Sequence, residues 1–334
     1  MRLSGMLKTA VVIAAVSGLS VAAAIPAGAD PGRRLAHEGE RHHRRHEHHS
    51  TSTCTGTPTS PGVLSGTYNS NVVVTGVCFV NGGAATISGD LTITPTGALN
   101  AQFALNDITG TGTSSLTVRD NVFVEPGGVM FMGCEPNFSQ CQDDTDTNGG
   151  VLTGQNSVHG SVIEFGPLGV IMHASTIDGS VAELGGGGGV NCTPSGIFAA
   201  FGSPAFSDYE DNTIGGDLSV VGLQTCWLGS LRNTVGGNII DVGNTMANPD
   251  AGEVLQNTVH GDIACFNNSP AVQFGDSGAS PNVVSGQAFG ECGFDVLSPD
   301  PNFPNGDGTG GPQPISVQAA PHHHHHHHHH DRED

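Results

Sequence analysis

Asn233-Thr234-Val235-Gly236-Gly237-Asn238-Ile239 and, a little further on, Asn257-Thr258-Val259-His260-Gly261-Asp262-Ile263 are two copies of one heptad, Asn-x-[Val/Ile]-x-Gly-x-[aliphatic]. Residues 156–162 and 212–218 give two more, and looser copies run over 72–78, 85–91, 106–112, 175–181 and 282–288. The heptad glycines Gly160, Gly179, Gly216, Gly237, Gly261 and Gly286 are spaced by 19, 37, 21, 24 and 25 residues. A short strand recurring at an uneven period near 20 is the signature of a β-solenoid. The long gap holds the glycine run 185–189 and reads as one enlarged turn.

The heptad has a physical logic. Alternate residues of a strand share a face, so Ile214 and Leu218 can point inward on either side of Gly216. The glycine permits a bend or a positive φ between two strand pieces. Asparagines in one slot of successive coils can stack, each amide bonding the next. A single coil cannot bury its apolar residues, whereas about ten stacked coils can. No sustained 3.6-residue apolar stripe is present. A β-sandwich would need longer alternating strands and would not repeat one heptad. The expected fold is therefore all-β, a parallel β-helix of about ten irregular coils over residues 53–295, with disordered termini.

The heptads resemble coils of right-handed parallel β-helix proteins. They are also similar to the glycine-marked repeats of bactofilins, the polymer-forming bacterial filament proteins. With the leader and the composition, the chain resembles secreted actinobacterial β-helix proteins, a resemblance that implies a fold and no activity. It covers about residues 70–290, on short and degenerate motifs.

The ends place the protein outside the cytoplasm. Arg2 and Lys8, an apolar stretch from Ala10, and Ala27-Gly28-Ala29 before Asp30 read as a cleavable secretory signal over 1–29. No later segment approaches the roughly 18 apolar residues of a membrane span, so no membrane insertion is expected and the destination is secreted or cell-surface. Residues 30–52 form a His- and Arg-rich arm without apolar periodicity. Residues 296–334 read as a Pro/Gly linker and a His-rich tail.

Export makes the eight cysteines legible as structural bridges. Cys54, Cys78, Cys134, Cys141, Cys192, Cys226, Cys265 and Cys292 contain no CxxC pair. Sequential pairing is expected, because a solenoid brings neighbouring turns together, although spacing alone leaves connectivity open.

Between residues 51 and 320 the basic side chains are Arg119 and Arg232, against 24 Asp and Glu. Phosphate binding depends on Lys and Arg, so nucleic acid is excluded as a partner of this body. Cell-envelope glycan and self-association remain as expected partners.

Several constellations carry chemistry. Asp144-Thr145-Asp146-Thr147-Asn148-Gly149 matches the opening of a calcium loop, whose first, third and fifth oxygens converge on the ion. Its twelfth position is Gln155 where a bidentate Glu belongs. His42, His43, His46, His48 and His49, with His322, His323, His324, His325, His326, His327, His328, His329 and His330, offer imidazoles suited to zinc or nickel. His159 and His260 share a heptad slot but lie four coils apart, about 20 Å at 4.8 Å per coil, too far to share an ion. Asp90, Asp217 and Asp262 also share a slot, which Ser161, Ser180 and Asn238 fill elsewhere. That variety suits a turn residue better than the carboxylate pair of a glycosidase. No essential cofactor is implied. The preferred reading is an exported structural or surface solenoid with weak divalent-metal binding. The alternative is a glycan-binding or glycan-cleaving β-helix.

Overall fold

A computed structural model describes residues 51–137, 139–146, 149–249, 251–273 and 281–294. Residues 1–50 and 295–334, with the histidine tracts, lie outside the described residues, as does Asn148.

Among the described residues the chain winds through three long parallel sheets of ten, eight and nine strands. One coil shows the circuit. Thr234–Val235 lies in the nine-stranded sheet, Ile239–Val242 in the ten-stranded one and Glu253–Leu255 in the eight-stranded one. Thr258–Val259 then pairs in register on Thr234–Val235. The heptad is thus the corner between the nine- and ten-stranded sheets. Its two apolar positions point inward as expected: Ile214, Leu218, Val235, Ile239, Val259 and Ile263 are all buried. One column of the ten-stranded sheet runs Val72, Leu91, Val122, Val162, Val181, Leu218, Ile239, Ile263 and Ala288. The fold is the expected parallel β-solenoid, with the enlarged turn present and carrying a 3-10 segment at Gly196–Phe201.

Side-chain ladders close the gaps between coils at the corners. Asn212, Asn233 and Asn257 are each at most 1% exposed. Each donates Nδ2 to the Oδ1 of the next asparagine up the stack, at 3.0, 3.1 and 2.9 Å, ending on Asn282. A second column fills the slot after the heptad glycine. Side-chain oxygens of Asn71, Asp90, Asn121, Ser161, Ser180, Asp217, Asn238 and Asp262 each accept a backbone N–H from the next coil, ending at Gln287. Satisfying buried backbone donors in this way keeps the corners from carrying unpaired polar groups.

Three details differ from the sequence reading. The heptad glycines do not take positive φ. They are needed for space, because a Cβ on Gly237 would strike Asp217 Oδ1 and the backbone of Gly216. The left-handed corner positions are instead Ala174, Asp211, Arg232 and Gln256, each one residue before Ser175, Asn212, Asn233 or Asn257. Finally, 72–78 and 106–112 are misplaced copies. The first spans the corner between Val72–Val74 and Val77–Phe79, and the second is a turn held by Asn106 Oδ1. The coil's true corner is 118–122, where Asp120 stands in the glycine slot.

Four bridges join Cys54–Cys78, Cys134–Cys141, Cys192–Cys226 and Cys265–Cys292, in sequential order. The first and last tie down the two terminal coils, where strands have a neighbour on one side. The middle two pin insertions. Alkylation of the unreduced protein is expected to label none of the eight cysteines; stoichiometric labelling of two would contradict this framework.

Candidate metal centre

Among the described residues, a cluster of charged side chains gathers where two inner strands of the eight-stranded sheet end. His173 ends the strand Gly169–His173 and pairs in register with Glu210, which ends Ser207–Glu210. Tyr209 between them points into the core, so its neighbours Asp208 and Glu210 share the opposite face. Arg232 and Asp211 occupy the left-handed corner positions beside them. Glu135 arrives from a separate element, the insertion closed by the Cys134–Cys141 bridge.

These elements surround one buried imidazole with carboxylates. His173 is 2% exposed. Its Nε2 lies 3.2 Å from Asp208 Oδ2, and its Nδ1 lies 3.4 Å from Glu135 Oε1 and 3.7 Å from Glu210 Oε2. Arg232 binds Asp211 through Nε at 3.0 and 2.8 Å, and also reaches Glu210 Oε2 at 2.5 Å through Nη2. Burial alone would push the His173 imidazolium down. Asp208, Glu135 and Glu210 outweigh it and raise the group to about 10. Burial and the Asp208 charge push Glu210 up to about 8, against the pull of His173 and Arg232. Burial likewise raises Glu135. One atom each from Glu135, His173 and Glu210 lie within 4.8 Å of one another, a set that could hold a metal ion.

The residues singled out in the sequence are dispersed. Asp144 accepts backbone N–H groups from Asp146 on Oδ1 and from Val151 and Leu152 on Oδ2, at 2.9, 2.6 and 2.7 Å. Those bonds hold its carboxyl below the usual range. Both oxygens thus already organise the loop, while Gly149 takes the positive φ of 98°. His159 and His260 are exposed, four strands apart in their sheet. His159 lies 2.8 Å from Asp178. Asp90, Asp217 and Asp262 are ladder acceptors between coils.

Sequence reading missed the cluster at 135, 173 and 210. These positions follow no spacing rule, because they come from two coils and an insertion. The available signals were Arg232, one of two basic side chains between residues 51 and 320, and the acidic run Asp208-Tyr209-Glu210-Asp211, which sequence spacing does not bring together.

A second buried polar group lies inside the solenoid. Glu164 and Glu183 are register partners on adjacent strands, both fully buried. Tyr209 Oη lies 2.5 Å from Glu164 Oε2 and 2.8 Å from Glu183 Oε2. On the eight-stranded sheet's outer side, a cavity of about 210 Å³ is lined by Val77, Phe79, Phe131 and Ile197 among others. No helix among the described residues is long and apolar enough to cross a membrane. No family model, curated protein or solved structure matches the chain.

Proposed function

We propose that this is an exported, non-enzymatic β-solenoid with a structural or surface role, and that its metal binding at 144–149 and on the histidine tracts is peripheral. The observation that carries this reading is the corner column from Asn71 to Gln287. Asp90, Asp217 and Asp262, the acids best aligned for a catalytic role, each commit Oδ1 to a backbone N–H of the next coil. Four disulfides suit an oxidising compartment and a protein selected for durability. The alternative, a glycan-active solenoid, rests on the apolar cavity beside Phe79 and Phe131.

A panel of acidic and neutral polysaccharides, scored for binding and for cleavage, separates the two. New reducing ends or unsaturated uronates would overturn the structural reading. For the peripheral sites, calorimetry gives the division. Deleting 322–334 is expected to remove much of the zinc capacity and leave any calcium uptake unchanged, because imidazole suits zinc and hard carboxylate oxygens suit calcium. Replacing Asp144 and Asp146 by Ala should do the reverse. Zinc capacity surviving loss of both the tail and the arm at 37–49 would sink this assignment.

A further inference from the structure

The geometry points to a zinc-class divalent-cation site at His173 Nδ1, Glu135 and Glu210, which braces the disulfide-pinned insertion against two successive coils. The imidazole needs something between it and its neighbours. Asp208 on the Nε2 side is an acceptor, so that nitrogen carries a proton. Nδ1 likewise faces carboxylate oxygens of Glu135 and Glu210, and in the metal-free protein a proton on Nδ1 lies among them. A divalent cation bound there takes the place of that proton, which is released, and Nδ1 with one oxygen each of Glu135 and Glu210 become its ligands.

The spacing suits a cation. Ligand atoms about 2.0–2.1 Å from a tetrahedral zinc stand about 3.3 Å apart, and the Nδ1–oxygen distances here are 3.4 and 3.7 Å. A carboxylate on the far nitrogen is the usual outer partner of a metal-binding histidine, fixing the tautomer and the ring plane. Asp208 takes that place, and its other oxygen is buried without a hydrogen-bond partner. Arg232 need not obstruct the site. It grips Asp211 through three contacts, so Glu210 can turn to an ion while the guanidinium stays put. The ligands also divide usefully: His173 and Glu210 come from adjacent strands, and Glu135 from the insertion.

Thermal unfolding of the full-length oxidised protein tests this separately from the histidine tracts. The Glu135–His173–Glu210 site exists only in the folded state, so an ion held there adds stability, and the variant lacking residues 322–334 separates it from the tail. Zinc at about a hundredfold over its Kd should raise Tm by about 5 °C relative to chelator-treated protein. Glu135→Gln should lose that rise, and deletion of 322–334 should keep it. Histidine-ring 15N spectra of the unaltered protein give a second readout. Zinc should move the Nδ1 signal of His173 and leave its Nε2 protonated. No Tm rise in the unaltered protein, a rise retained in Glu135→Gln, or an unmoved Nδ1 signal overturns the site and leaves the tract assignment standing.

Discussion

Raising the pH from about 4.5 to 8 is expected to lower the melting temperature of the metal-free protein by at least about 10 °C. The cause lies in one inward column of the ten-stranded sheet. It reads Cys54, Val74, Ile93, Val124, Glu164, Glu183, Val220, Asp241 and Cys265 in register. Three acids therefore sit in the apolar interior, each at most 1% exposed. The phenol of Tyr209 faces two of them and can donate a single proton. Its contact with the second requires that carboxyl to carry a proton itself. Glu164 Oε1 and Asp241 Oδ2 are buried without hydrogen-bond partners, which further disfavours the anions.

Burial, with the Glu183 charge, raises Glu164 well above the ordinary carboxyl range. Burial pushes Glu183 up to about 7, against the hydrogen bonds from Tyr209 and Ser207. Burial also pushes Asp241 up to about 7, despite the bond from Asn244. A carboxyl whose folded pKa exceeds its unfolded value holds its proton more tightly when folded. Its contribution is complete below about pH 4 and is lost as the pH climbs to about 7. A shift of this size corresponds to on the order of 3 kcal/mol per group. The His173 imidazolium, raised to about 10, adds a later loss above its unfolded value of about 6.5. Surface acids also repel more as they ionise, so variants are needed to separate the two effects. Asp241→Asn and Glu183→Gln should flatten the fall between pH 4.5 and 7. A wild-type Tm that is level or rising across that window, or an Asp241→Asn slope equal to the wild type's, would sink the interior-acid explanation.

Those acids show where sequence reading stops. The heptad was legible because its positions 3 and 7 are apolar in nearly every coil, and because a ladder asparagine cannot be replaced cheaply. Its period carried the parallel solenoid, the coil count and the enlarged turn. Glu164, Glu183 and Asp241 lie two residues beyond the heptad's last aliphatic, where alternation places the next inward side chain. An acid there reads as solvent-facing until the register stacks it under Val124 and Val220. His173 and Glu210 escaped for a related reason. The eight-stranded sheet has no shared motif, so nothing in the chain announces that residues 37 apart stand side by side. The copy misplaced at 106–112 shows the opposite error. There an Asx-type turn, with Asn106 Oδ1 accepting from Ile108 and Thr109, imitates the heptad's Asn and Gly without forming a strand.

The ladder itself supplies the other large effect, and Asn233→Ala is the substitution that exposes it. Asn233 is completely buried, and its amide serves four partners. Oδ1 accepts the backbone N–H and the Nδ2 of Asn212, and Nδ2 donates to Tyr209 O and to Asn257 Oδ1. Alanine leaves those groups buried without their bonds, each unmet group costing about 1–3 kcal/mol before any relaxation. A loss of at least about 4 kcal/mol is expected, read as a fall in the denaturation midpoint with little change in its slope. Asn233→Asp keeps the Oδ1 acceptor but turns the donating nitrogen into an oxygen that faces Tyr209 O and Asn257 Oδ1. It should be no better than alanine. Coils interact with their nearest neighbours, so the damage should weaken both halves of the stack at their junction. Asn282→Ala, at the end of the ladder, should cost less, because no further asparagine of the ladder stands beyond it. Equal costs at 233 and 282, or a cost below about 1 kcal/mol at 233, would mean that inward apolar packing alone holds the coils in register.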